Sequence, residues 1–306
     1  MSTPTSLELP DGVRPATIRT TRGSFAALDA VPASGVCERE TALLVPGYTG
    51  SKEDFLSVLG QLADRGRRVV AIDMRGQYET PGPAQDDGFS PGALGADIAA
   101  VIEAVGARHL LGHSYGGLVV REAVLGAAAA VGSLTLMSSG PSALTGPRAA
   151  ELSGVLAALG AAYGSAPDPA ELQAAIGGLW RDYLEPQAVA AGVQGPIIAF
   201  LAKRMLSNDP TGLVLMARHI LTAPDRTAEL ARAQIPMLVL YGENDNSWSP
   251  DTQEDMARRL GARRVCIPGA EHSPAVEAPA TTAAALTQFW DAAEATRGPA
   301  RPRDAG

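Results

Sequence analysis

The apolar positions of this chain switch between a strand period and a helix period, and the switches lay out its elements. Near the amino end, Val13-Arg14-Pro15-Ala16-Thr17-Ile18 and Gly23-Ser24-Phe25-Ala26-Ala27-Leu28 read as strands around the turn Thr21-Arg22-Gly23. Thr41-Ala42-Leu43-Leu44-Val45 is a continuous apolar run closed by Pro46-Gly47, the pattern of a strand buried on both faces. Ser51-Lys52-Glu53-Asp54 has the form of a helix start, a capping hydroxyl with an acid three residues on, and Phe55, Val58, Leu59 and Leu62 follow at helical spacing. A strand is then predicted over 67–73, and a helix over 93–105 from Leu94, Ile98, Val101, Ile102 and Val105. Another strand follows at 109–113, a helix from there to about residue 130, and a strand at 133–137. Such alternation predicts an α/β fold with a mostly parallel sheet covered on both faces.

From about residue 142 to 233 the strand period disappears. Leu152, Val155, Leu156 and Leu159 mark one helix. Asp168-Pro169-Ala170-Glu171 opens the next with a capping acid and an early proline, and its stripe is Leu172, Ile176, Leu179 and Tyr183. Ile197, Phe200, Leu201 and Met205 mark another, and Asp209-Pro210 starts one carrying Leu213, Met216 and Ile220. The strand pattern resumes in Ile235-Pro236-Met237-Leu238-Val239-Leu240-Tyr241, followed by a helix over 250–260, a strand over 264–267 and a helix over 279–295. A helical block whose two ends return to one sheet predicts a cap, 142–232, inserted into a core of 1–141 and 233–306. The tail 298–306, rich in proline and charge, is expected to be disordered.

Composition narrows the partners rather than the fold. With 306 residues, 46% of them hydrophobic and 19% charged, the chain has the profile of a globular enzyme. A net charge of −8 without any Lys/Arg run argues against a nucleic-acid partner. No stretch approaches the ~20 apolar residues needed to span a bilayer. Residues 1–10 lack the basic start and apolar run of a secretory signal, which makes the cytoplasm the expected location. Cys37 and Cys266 fit no metal spacing and are expected to be buried thiols; no metal or cofactor is predicted, and a homodimer stays open.

Chemistry enters at Leu110-Leu111-Gly112-His113-Ser114-Tyr115-Gly116-Gly117. An apolar strand runs into Gly-x-Ser-x-Gly and then into a helix pattern. A serine held at such a sharp corner needs neighbours without a Cβ, and the corner pushes its hydroxyl out above the sheet. In a chain with 33 glycines the pentapeptide could arise by chance, but its strand-then-helix setting is what a nucleophile elbow requires. Here the sequence resembles the α/β-hydrolase family, over about 13–141 and 233–295. Serine needs a base and a group to orient that base. His109 lies in a strand, His113 within the elbow and His219 in the helical block. His272, in Pro268-Gly269-Ala270-Glu271-His272-Ser273-Pro274 after the last strand, resembles the family's base loop. The orienting acid is then Asp245, in the Gly-x-x-Asp loop Gly242-Glu243-Asn244-Asp245, with Glu243 and Asp251 as alternatives.

The same resemblance assigns two backbone donors for a developing oxyanion, the amides of Tyr115 and of Tyr48. Tyr48 belongs to Pro46-Gly47-Tyr48-Thr49-Gly50, where proline replaces the family's usual histidine. Asp73-Met74-Arg75-Gly76-Gln77-Tyr78 resembles a structural loop of the family, with Asp73 and Arg75 expected to pair. Trp180, Tyr183, Phe200, Met205 and Trp248 are the candidates for contact with a small-molecule substrate. Together these imply hydrolysis of a carboxylic ester or lactone of a largely apolar molecule through an acyl-Ser114 intermediate. Thioester, amide or C–C hydrolysis and cofactor-free perhydrolysis could use the same residues. A binding protein that keeps the fold without turnover is the reading of another class.

Overall fold

The computed structural model describes residues 2–126, 131–163 and 168–297. Its strands are β1 (Val13–Thr20), β2 (Gly23–Ala30), β3 (Arg39–Val45), β4 (Arg67–Ile72), β5 (His109–His113), β6 (Ser133–Met137), β7 (Met237–Gly242) and β8 (Arg263–Ile267). They form one sheet in the order β1-β2-β4-β3-β5-β6-β7-β8, antiparallel at the β1–β2 and β2–β4 pairs and parallel from β4 to β8. The continuous apolar runs are explained by burial on both faces. Leu43, Val45, Leu110 and Val239 join one hydrophobic cluster, and their strand neighbours Ala42, Leu44, Leu111 and Leu240 join the other.

Helices α1 (Leu56–Ala63), α2 (Pro91–Val105) and α3 (Tyr115–Leu125) connect the first strands. Ser90 caps α2 by accepting from the Ala93 N–H, and Gly106 ends it in the left-handed region. α3 is capped by Gly126, and the rest of the expected span, 127–130, lies outside the described residues. Between β6 and β7 the chain runs through α4 (Gly146–Tyr163), α5 (Pro169–Leu179), α6 (Glu185–Ala190), α7 (Gly195–Ser207), α8 (Pro210–Thr222) and α9 (Thr227–Ala231). α10 (Pro250–Leu260), α11 (Pro274–Glu277) and α12 (Pro279–Arg297) complete the described chain, so the expected tail 298–306 lies outside it. Among the described residues no helix is long and apolar enough to cross a membrane.

The helical block has a core of its own, built on Leu172, Ile176, Trp180, Phe200, Leu201 and Val214. One local irregularity orients it. Pro186 has no N–H to offer the Asp182 carbonyl and its ring crowds that oxygen, so a regular α-helix cannot continue. The chain widens into a π turn over Trp180–Leu184, with the Glu185 N–H bonding the Trp180 carbonyl.

Two sequence expectations fail outside the site. Asp73 does not pair with Arg75. Asp73 turns inward to the Lys52 ammonium at 2.9 Å and the Lys52 N–H at 2.8 Å, while Arg75 turns outward to Asp97 and the Arg22 carbonyl. Cys37 and Cys266 are free thiols as expected, but exposed: one lies in a surface loop and the other on the edge strand β8.

Candidate active site

Ser114 sits between the end of β5 and the start of α3 with φ 54° and ψ −120°, a left-handed conformation that costs a residue with a Cβ free energy. The strain persists because its surroundings fix it. The Ser114 N–H donates to the Met137 carbonyl at 2.9 Å, and a Cβ on Gly112 would overlap the Gly116 carbonyl. A Cβ on Gly116 would likewise overlap the Pro46 carbonyl, so α3 reaches this close to β3 only with glycine there.

The hydroxyl thus presented lies 2.9 Å from His272 Nε2, and His272 Nδ1 lies 2.9 Å from Asp245 Oδ1. The sheet order makes this meeting possible. Ser114 follows β5, Asp245 follows β7 and His272 follows β8, all at the carboxyl ends of parallel strands. Asp245 is the carboxylate that reaches His272; Glu243 instead accepts from the Gly269 N–H. Asp245 is further held by the Ser247 N–H at 2.9 Å and by Gln253 Nε2 at 2.8 Å. Burial pushes its carboxyl up, but the hydrogen bonds from His272, Ser247 and Gln253 outweigh it and keep it below the ordinary range. His113, inside the elbow, donates from Nε2 to the His272 carbonyl at 2.8 Å, fixing the base loop. Burial, followed by the nearby imidazole of His272, pushes His113 down to about 3, so it stays neutral.

Tyr115 is the first residue of α3, where amide N–H groups have no carbonyl one turn earlier to bond. The Tyr48 loop is closed by the Gly50 N–H on the Gly47 carbonyl at 3.1 Å, with Thr49 at φ 58°. Pro46 opens this loop, and Gln77 supports it: its Nε2 donates to the Gly47 carbonyl at 2.9 Å. Tyr48 reaches the helical block through its hydroxyl, which donates to the Leu213 carbonyl at 3.0 Å.

A cavity of about 240 Å³ opens on Ser114 and His272. Tyr48, Tyr183, Met205 and Trp248 line it, with Leu144, Leu152, Val155, Leu179 and Ile220 giving an apolar wall. Of its charged residues, Arg148 and Glu151 pair with one another at 2.7 Å and Asp54 pairs with Arg204 at 2.7 Å. Trp180 and Phe200 are not on this wall, contrary to expectation; both pack into the helical block's own core. Trp180 continues the α-helical stripe of Leu172 and Ile176, its N–H still bonding the Ile176 carbonyl. The π turn begins there, and beyond it Tyr183 and Leu184 face the cavity. Gln77, Gln253 and Asp54 were missed in the sequence, since a loop amide, a polar residue within α10 and a helix-start acid carry no signal that sets them apart.

Comparison with known proteins agrees with this fold. The model of the alpha/beta hydrolase family matches residues 42–285. The chain belongs to that family. Among solved hydrolases of the same architecture, the thermophilic esterase of Thermogutta terrifontis superposes with a TM-score of 0.67 at 22% identity, over 92% of this chain and 99% of that one. A hydrolase of Pseudomonas aeruginosa PA01 gives 0.66 at 25% identity, covering 90% and 98% of the two chains. The enol-lactonase of Burkholderia xenovorans LB400 gives 0.67 at 17%, covering 90% and 100%. A Variovorax paradoxus (strain S110) protein named for carbamate hydrolysis, RutD, is 35% identical over 107 residues, a match that spans 34% of this chain and 40% of that relative.

Proposed function

We propose that this α/β hydrolase cleaves a carboxylic ester or lactone of a small, largely apolar molecule through an acyl-Ser114 intermediate. The observation that carries the reading is the pair of 2.9 Å contacts linking Ser114, His272 and Asp245 at a cavity. His272 Nε2 takes the Ser114 proton as Oγ attacks the carbonyl carbon, and the resulting oxyanion lies against the Tyr48 and Tyr115 amides. Collapse expels the alcohol, which leaves with the proton from His272. Water, deprotonated by the same imidazole, then releases the acid and restores Ser114. Asp245 stays ionised throughout and holds the imidazole in the tautomer this requires. The chemistry calls on no cofactor.

Residues 142–232 act as a cap on a core of 1–141 and 233–306, and decide what enters. The cavity is smaller than the ~300–1,000 Å³ of sites for drug-sized ligands, and its charges are already paired, which favours a compact, neutral substrate. Carbamates are the second reading, on the strength of the RutD-named relative. They present the same carbonyl to the same serine.

A panel of p-nitrophenyl esters of graded acyl length, lactones and carbamates tests this, with acid-quenched mass spectrometry of the enzyme. Short-chain esters should turn over fastest and leave an acyl group on Ser114. Turnover without an adduct there would refute the acyl-Ser114 route, and carbamates outpacing esters would reverse the order of the two readings.

A further inference from the structure

Arg204 of α7 is among the largest fully buried side chains of the protein, yet its guanidinium points out of the helical block into the core. Its Nη1 donates to Asp54 Oδ1 at 2.7 Å and to the Ser51 hydroxyl at 3.4 Å, and its Nη2 donates to the Ser2 carbonyl at 2.6 Å. Asp54 is no ordinary ion-pair partner. It sits in the short 3₁₀ turn Lys52–Phe55 directly after the Gly47–Gly50 loop, and its Oδ2 accepts from the Ser51 N–H at 3.3 Å. A Cβ on Gly50 would overlap that same Oδ2, so the carboxylate lies hard against the end of the loop. Asp54 also lines the catalytic cavity.

We infer that Arg204 and Asp54 are positioning residues that set the Tyr48 amide for the oxyanion from the cap side. The inference rests on the hydrolytic reading above. The loop is held at three places. Gln77 fixes its start from the core, whereas Leu213 takes the Tyr48 hydroxyl and Arg204 clamps the end through Asp54, both from the cap. The donor geometry therefore depends on where the cap sits.

Stability alone is a poor reason to keep this pair. Arg204 Nε is buried without a partner, and burial outweighs Arg204 in pushing the Asp54 carboxyl up. Apolar side chains could join cap to core without such costs, since buried pairs exchanged for hydrophobic residues often leave a protein as stable or more so. What apolar residues could not do is hold the Ser51 N–H and the loop end in one place.

The test compares wild type, Arg204→Met, Arg204→Lys and the double variant Asp54→Leu/Arg204→Met. Turnover is normalised to active sites titrated with a fluorophosphonate, and Tm is recorded for each. Arg204→Met should lower kcat about 10- to 100-fold, short of the ~10²–10³ for outright loss of a donor, with KM within about twofold. Affinity for a trifluoromethyl ketone, whose adduct places an oxyanion in the hole, should fall by the same factor. Arg204→Lys should recover most of kcat. The double variant leaves no unpaired charge, so it should regain Tm but not kcat. Unchanged kcat per active site in Arg204→Met, or a double variant that regains kcat together with Tm, would overturn the inference while leaving the hydrolytic reading intact. A wild type that neither turns over esters nor labels at Ser114 would overturn both.

Discussion

Among the described residues two serine–histidine–carboxylate triples stand out, one at each end of β5. At the carboxyl end, Ser114, His272 and Asp245 are joined by contacts of 2.9 Å. At the amino end, His109 lies 2.8 Å from the Ser133 hydroxyl and 3.0 Å from Glu294. The distances are as good in the second triple as in the first. Its surroundings are not. Ser133 lies in the strand β6 rather than at a strained corner, Ser133 and His109 are fully buried, and the imidazole stacks on Trp290. The imidazole is also reversed, with Nδ1 toward serine and Nε2 toward the acid.

Charge separates the two triples further. Glu294 already has a permanent cation, Arg67, at 2.7 Å. Burial works against its ionisation, yet the hydrogen bonds from His109 and Arg67 leave its carboxyl at about 2, while burial lowers His109. This is a structural network in which the carboxylate's charge is already balanced. Asp245 receives two neutral donors and His272, so on the proposed mechanism the positive charge it balances is the imidazolium formed during reaction. Hydrogen-bond geometry alone does not separate the two triples; exposure to a cavity, a presented hydroxyl and a carboxylate without a permanent cation do, and on these the proposal rests.

Substitutions at matching positions should pull the triples apart. Ser114→Ala should reduce ester turnover on the order of 10⁶-fold, while Ser133→Ala stays near wild type in a p-nitrophenyl acetate assay. Asp245→Asn should cost on the order of 10⁴ in kcat. Glu294→Gln should leave kcat per active site unchanged and instead lower stability by about 1–3 kcal/mol in urea titrations, because Arg67 and His109 lose a charged partner. Equal losses of turnover in these two variants would erase the distinction.

The helical block offers a smaller contrast. Trp180→Ala, in that block's core, should cost about 3–5 kcal/mol of stability with substrate preference retained. Tyr183→Ala, on the cavity wall, should shift kcat/KM between acetate and bulky aromatic esters by about 1–3 kcal/mol with stability retained. The smallest effect concerns acid. Glu294 has its folded carboxyl at about 2 against an ordinary 4.5, so its contribution to stability is complete above the ordinary value and fades as pH falls toward 2. The stability gap between wild type and Glu294→Gln should therefore narrow between pH 5 and about 2, and a gap that widened would reverse the sign of this account.

The upper triple was legible in the sequence because each member is tied to a strand end, and strand ends are marked by apolar runs stopping at glycine or proline. The lower triple was not, since His109 and Ser133 look like ordinary strand residues and Glu294 like a helix surface acid. The helical block was misread in part for a local reason: Pro186 forces the π turn, so a uniform helical period carried past Trp180 keeps Tyr183 on the Leu172–Ile176 stripe, whereas it lines the cavity. Asp73 and Arg75 share a short loop but face opposite directions, which spacing does not reveal. Arg204 and Asp54 lie 150 residues apart, and only the docking of α7 against the core brings them together.

The central claim is that one serine, at the carboxyl end of β5, is the nucleophile. Fluorophosphonate labelling followed by peptide mapping tests it most directly. The account predicts a single phosphonylated residue, Ser114, with labelling abolished in Ser114→Ala and in His272→Ala and unaffected in Ser133→Ala. Label on Ser133, or label that persists in Ser114→Ala, would contradict it.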